Sequence, residues 1–247
     1  DESNIYPLEL FKRMAGLGYL GLKFSSEYGG GDGGNLDAAI LFEELAAASA
    51  GITLGVYCHV VLALTAIARI GDEAQKRRYL PAGIRGEVIG AFGSTEASAG
   101  SDITAIATRA TRDGDRYLLN GAKLFCTNSP LADFIVLSAV TAPEKGGQGI
   151  SLFIVERGAP GLSIGRVMKT LGMHPAQTAE VILDNVRAPI ENRLGEENRG
   201  APNMLTAFAE GRIIAAAFAV GVARAAFAAA RQYTLERVQF GQPIAKN

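Results

Sequence analysis

The chain of 247 residues has no tryptophan, two cysteines and two histidines. Two cysteines cannot build a disulfide framework, and with two histidines they match no zinc-ligand spacing. Cys58 and Cys126 therefore read as free thiols, which fits a reducing compartment. An excess of one charge is also missing. With 24 Lys and Arg against 25 Asp and Glu, the basic surplus of a nucleic-acid binder is absent. No run of about 18 apolar residues is free of charge; Ile213–Ala230 comes nearest and is broken by Arg224, so no membrane span is expected. The opening DESNIYPLELFKRM lacks the apolar core of a secretory signal. The chain does not begin with Met, and its last residues carry no cap, so truncation at both ends is expected.

A 48% hydrophobic, 20% charged composition belongs to a soluble globular protein. A chain this long buries roughly 70–75% of its unfolded surface and needs no staples. Its patterning falls into three segments, which gives an α+β multidomain fold: an N-terminal helical domain over 1–86, a middle antiparallel β domain over 87–195, and the start of a C-terminal helical bundle over 196–247. Pro7 suits a first helical position, with Leu8, Phe11, Met14 and Ala15 forming an apolar stripe that Gly16 and Gly18 interrupt. Asn35 can cap a helix with Asp37 in its first turn. The apolar VVLALTAIA predicts a buried helix within 51–71, and Asp72 can cap a short helix that Pro81 closes. Asp113-Gly114 and Asn120-Gly121 predict hairpin turns among the strand-like runs TAIATRATR, RYLLN and AKLFCTN. Further strands are expected at 134–140, 151–156 and 180–183, and a long helix over 203–235.

Several features that look functional also have a plain structural reading. Gly29, Gly31 and Gly34 spell G-x-G-x-x-G, but no acid lies between Glu44 and Asp72, where a dinucleotide fold needs one. His59 sits in an apolar helix and reads as a packed core residue; His174 sits in a loop, where a surface role and a ligand-facing role fit equally well. Neither has a Ser or Cys partner at triad spacing. Glu43 and Glu44 point about 100° apart on a helix, so a shared site is not expected.

The informative stretch is FGSTEASAGSD, residues 92–102, where hydroxyls and bare backbone share one loop after a strand. Alone it fits an anion or cofactor loop and a plain turn equally well. As Thr95-Glu96-Ala97-Ser98-Ala99-Gly100-Ser101-Asp102 it resembles the T-E-P-G-A-G-S-D signature of the acyl-CoA dehydrogenases. Leu119-Asn120-Gly121-Ala122-Lys123 with Phe125-Cys126-Thr127-Asn128 resembles that family's L-N-G-x-K-x-W-I-T-N. Tyr28-Gly29-Gly30, the Leu171–Glu180 and Asp184–Pro189 segments, and Arg237 with Phe240-Gly241 and Pro243-Ile244 follow in the family's order across nearly the whole chain.

The resemblance implies an FAD enzyme that converts an acyl-CoA to its trans-2-enoyl thioester. It implies reoxidation by an electron-transferring flavoprotein or similar acceptor, a homo-oligomer (dimer or tetramer), and a cytoplasmic location, or the mitochondrial matrix in a eukaryote. It places Phe92, Ser94, Thr95, Gly100, Ser101, Phe125 and Thr127 at the cofactor, with Arg237 and Phe240 reaching the FAD of a neighbouring subunit. Ser101 and Arg212 are implied to touch substrate. Three departures stand out: Ala97-Ser98 replaces Pro-Gly, Phe125 replaces Trp, and Gly211 occupies the place of the catalytic Glu in a minority of the family. No catalytic base and no metal ligand are therefore assigned. A flavin oxidase or monooxygenase, a dehydrogenase of carrier-protein thioesters and a non-catalytic remnant remain open.

Overall fold

The computed structural model describes residues 5–246; residues 1–4 and 247 of the two outer segments lie outside the described residues. The N-terminal helices are α1 (Leu8–Gly16), α2 (Asn35–Ala48), α3 (Ala50–Tyr57), α4 (Thr65–Ile70) and α5 (Glu73–Ile84), with a π-helical segment, Cys58–Leu64, joining α3 to α4. Phe11, Met14 and Ala15 of α1 are buried, but Leu8 remains exposed. α1 stops at Gly16, and Gly18 follows with a left-handed φ of 82°. Asn35 is the first residue of α2, not its cap: Gly34 precedes the helix and donates its N–H to Asp37 Oδ2 at 2.8 Å. Asp72 caps α5 as expected, accepting from Gln75 N at 2.8 Å while Gln75 Oε1 accepts from Asp72 N. Pro81 does not close that helix. It lies inside α5, which runs on to bury Ile84.

The strands are β1 (Gly90–Gly93), β2 (Arg109–Asp113), β3 (Arg116–Thr127), β4 (Phe134–Val140), β5 (Ile150–Glu156), β6 (Leu162–Ile164), β7 (Thr178–Pro189) and β8 (Arg193–Leu194). Their order is β6-β7-β3-β2-β4-β5-β8, with β1 also on β4. The sheet is mixed, not antiparallel throughout: β1 and β2 both run parallel to β4. Asp113-Gly114 opens the expected β2–β3 hairpin. Asn120-Gly121 is not a turn but a bulge inside β3, where the pairing with β7 shifts register. A Cβ at Gly121 would lie 2.5 Å from Thr108 Oγ1, so close backbone approach, not a hairpin, demands this glycine. Of TAIATRATR only the part from Arg109 is strand.

β4 and β5 bury both faces, so they read as continuous apolar runs. Phe134, Val136, Leu152 and Ile154 join the core shared with the helices; Ile135, Leu137, Phe153 and Val155 join the core within the β domain. His59 ties the layers together from inside the π segment. Its Nδ1 accepts the Gly90 N–H at 2.9 Å, which makes Nε2 the donor to Gly83 O at 3.1 Å.

The last helix, α6, runs Gly200–Glu236 and buries Gly200, Met204, Ala207, Gly211, Ile214, Phe218 and Gly221 on a single stripe against the N-terminal helices. Arg224 reaches both Glu43 (3.4 Å) and Glu44 (2.8 Å), so the two carboxylates do share one partner. No second bundle helix begins among the described residues. A hairpin of β9 (Val238–Gln239) and β10 (Gln242–Pro243) follows instead, turned by Phe240 and Gly241 at φ 51° and 77°. By length and composition two helices could cross a membrane, Ala50–Ile70 and Gly200–Glu236, contrary to the sequence expectation. The first is mostly buried within the fold; the second is ion-paired to α2 through Arg224.

At the α2–α6 crossing, a Cβ on Gly221 would fall 2.1 Å from Glu43 O. Gly221→Ala gains about 1 kcal/mol of helix propensity but must push two backbones apart, which costs about 1–3 kcal/mol or more. A net loss of stability in urea denaturation is expected; an equal or higher midpoint would show that the crossing yields.

Candidate functional site

The loop that leaves β1 is anchored from below by a buried ion pair. Glu96 turns inward, accepting from Lys123 Nζ at 2.5 Å and from the backbone N–H groups of Ala107 (2.6 Å) and Thr108 (3.2 Å). Lys123 is fully buried on β3 and also donates to Ser138 Oγ at 3.2 Å. Burial alone would raise the Glu96 pKa, but Lys123 and the amide donors hold it below the usual carboxylate range. Burial lowers that of Lys123, with Glu96 opposing. Above the anchor, Ala97-Ser98 forms the tip of a tight turn, closed by Glu96 N to Ala99 O (2.8 Å) and Ala99 N to Glu96 O (3.2 Å). The exchange of Pro-Gly for Ala-Ser is thus accommodated without a left-handed residue in that turn.

Leu124 N donates to Thr95 O at 2.8 Å, which sets this loop beside the end of β3. There a second bulge lies between Lys123 and Cys126. Before it, Tyr117, Leu119 and Lys123 point into the core; after it, Cys126 does. The bulge therefore changes the phase of the strand and turns Phe125 and Thr127 to the other face. Phe125 sits at φ 54° with its ring 64% exposed, an uncommon state for a bulky residue and a pointer to function. Thr127 is half-buried, and its hydroxyl lies 2.9 Å from that of Thr178 on β7. Next to it Asn128 Nδ2 donates to Gly55 O at 2.8 Å and to Gly90 O at 3.3 Å, fixing the strand end to α3 and β1.

The structure thus brings Ser94, Thr95, Phe125 and Thr127 together. Ser94 and Thr95 are half-buried, Gly100 and Ser101 exposed, and among the described residues the hydroxyls of Ser94, Thr95 and Ser101 have no protein partner. Phe92 is different. Its ring is buried edge-to-face on Phe208 of α6 at 5.7 Å, so it backs the site from within. Free neutral hydroxyls beside an exposed aromatic ring suit a flat heteroaromatic ligand with polar edges.

On α6, Gly211 offers no side chain, and a Cβ there would lie 2.9 Å from Tyr57 Oη, which donates to Gly211 O at 3.0 Å and would have to shift. Glu210 points away into an ion triad with Lys23 and with Arg69 (Nη2 at 2.6 Å). Burial opposes its ionisation, yet the two cations hold its pKa below the usual value. Arg212 is exposed, close enough to Tyr57 to act on it electrostatically. A cavity of about 790 Å³ opens between Thr104, Lys145 and Gln148 and the start of α6 at Arg199, Pro202 and Leu205. Arg237 and Phe240 do not join the site. Twenty-five helical positions place Arg237 about 37 Å beyond Arg212. Both are exposed, Phe240 almost completely.

Sequence reasoning passed over the Glu96–Lys123 pair, Thr178, Tyr57 and the Lys23–Arg69 cations. A lysine on the inward phase of a strand was the one available signal, since it requires a buried acid.

Three family models match in series: "Acyl-CoA dehydrogenase, N-terminal domain" over residues 1–87, "Acyl-CoA dehydrogenase, middle domain" over 91–186, and "Acyl-CoA dehydrogenase, C-terminal domain" over 198–247. The chain is 41% identical over 246 residues to the short-chain specific acyl-CoA dehydrogenase of Clostridium acetobutylicum, covering 100% of this chain and 65% of that one. Its structure is similar to butyryl-CoA dehydrogenase from Megasphaera elsdenii, with a TM-score of 0.95, 41% identity and the same coverage. It is equally similar to a chain solved in work on the electron transferring flavoprotein of Acidaminococcus fermentans, with a TM-score of 0.96 and 40% identity over 100% of this chain and 65% of that one. The chain thus spans about two-thirds of the length of each relative.

Proposed function

The chain belongs to the acyl-CoA dehydrogenase family, and we propose that the protein it represents is an FAD-dependent dehydrogenase of acyl-CoA thioesters. The observation that carries this reading is the placing of the loop with the partner-free hydroxyls of Ser94 and Thr95 beside the bulged strand end with Phe125 and Thr127, through Leu124 N to Thr95 O. Bound FAD supplies a two-electron acceptor for the β-hydrogen of the substrate. Ser94, Thr95 and Thr127 offer neutral hydrogen bonds to the ring, and Phe125 offers a face for it to pack on. Gly100 and Ser101 lie on the exposed arm of the loop, where backbone N–H groups suit a pyrophosphate. Lys145 and Arg199 at the large cavity, with Arg212, suit the anionic carrier arm of a CoA ester.

An acyl α-hydrogen is weakly acidic, so its removal needs a carboxylate within hydrogen-bond reach. Gly211 and the ion-paired Glu210 supply none, and the base is proposed to lie beyond residue 247. The distance from Arg212 to Arg237 and Phe240 supports a homo-oligomer, dimeric or tetrameric, in which these two reach a neighbour's FAD. An electron-transferring flavoprotein is the proposed acceptor. The buried thiols Cys58 and Cys126, both pushed up to about 12 by burial, suit a reducing cytoplasm.

The full-length protein, reconstituted with FAD, is expected to hold close to one flavin per chain and to lose its visible absorbance anaerobically on addition of a short acyl-CoA. No retained flavin would sink the reading.

A further inference from the structure

Thr178 sits directly across from Thr127 in the β3–β7 pairing, and their hydroxyl oxygens are 2.9 Å apart. One proton lies between them, and the surroundings decide whose it is. Thr178 is 7% exposed, and among the described residues its hydroxyl has no other partner. Were Thr127 the donor, the Thr178 proton would be buried without an acceptor, at a cost of about 1–3 kcal/mol. Thr127 is half-buried on the open side and can turn its own proton outward.

We propose that Thr178 is a positioning residue that orients the Thr127 hydroxyl as a hydrogen-bond donor to the bound ligand. The proposal rests on the flavin reading above. The family resemblance also implies that Thr127 lies near ring nitrogen N5, which presents a lone pair when the ring is oxidised and carries an N–H that must itself donate when it is reduced. A hydroxyl that already accepts from Thr178 keeps its proton for the ring and has one lone pair fewer to offer the reduced N–H, so it favours the oxidised ring. Removing the Thr178 proton frees a lone pair on Thr127 and relieves that bias.

The test compares the flavin midpoint potential of full-length wild-type protein with Thr178→Val and Thr178→Ser, all loaded with FAD and without substrate. Thr178→Val is expected to shift the oxidised-to-reduced equilibrium about tenfold towards reduced flavin, which is about 30 mV more positive for a two-electron couple. Thr178→Ser keeps the donor and is expected to return the wild-type potential. Thr178→Ala serves if the valine variant does not fold, with the same expected direction. An unchanged potential in the hydroxyl-free variant, or an equal shift in the serine variant, overturns the proposal. Wild-type protein that takes up no flavin overturns the flavin reading itself, and this inference with it.

Discussion

Glu96→Ala is expected to lose about 3–5 kcal/mol of folding stability, the range for breaking one side of a buried ion pair. Among the described residues, the change leaves the fully buried Lys123 ammonium with only Ser138 Oγ as a hydrogen-bond partner, and strips the Ala107 and Thr108 N–H groups of their acceptor. Against a typical total of about 5–15 kcal/mol, that is enough to leave much of the protein unfolded. Lys123→Met alone costs less, because Glu96 keeps its two backbone donors. The double variant Glu96→Gln/Lys123→Met removes both charges and is expected to recover most of the loss, since apolar replacement of a buried pair is often near neutral. Urea denaturation at pH 7 measures all three. A Glu96→Ala cost below about 1 kcal/mol would mean that water reaches the pair. The anchor also holds the loop at Thr95, so any folded Glu96 variant is expected to retain flavin poorly.

Acidification is expected to cost nearly as much, through His59. Its ring is fully enclosed, and burial lowers its pKa to about 4 from an ordinary 6.5, only partly offset by Gly83 O. The neutral form also has to accept the Gly90 N–H at Nδ1, and a protonated ring cannot do so. Because the folded pKa lies below the unfolded one, the unfolded state binds the proton more readily. Stability is then complete above about pH 6.5 and falls as the pH drops towards 4, by about 3 kcal/mol at most. Denaturation midpoints between pH 7.5 and 4 should show this decline. In His59→Gln, already less stable at pH 7, that part of the slope should vanish. An unchanged slope in the variant would assign the acid loss to other groups.

Much of the architecture was legible because it rests on local periodicity. The apolar run before Gly71, the Asp72 cap and the β4 strand all follow from patterns within a few residues. Pro81 misled because a helix stop is only a local preference, and burial of Leu80 and Ile84 carries α5 past it. Asn120-Gly121 misled for a related reason. The pair has the chemistry of a hairpin turn, yet Thr108 lies against the glycine and β7 pairs on either side of it. Parallel pairing of β1 and β2 with β4 has no local signature at all.

The sequence by itself determined the family, through motifs in order, and with it the expectation of which loop and which strand end meet a cofactor. Only the tertiary structure decided how they do so. The phase change between Lys123 and Cys126 moves Phe125 and Thr127 to the open face, and strand alternation cannot foretell it, because the extra residue is tolerated only where β7 and the Thr95 loop receive it. Glu96 and Lys123 lie 27 positions apart, and Thr127 and Thr178 lie 51 apart. Such pairs are set by the sheet that brings them together; in the chain alone, each has many partners of equal standing.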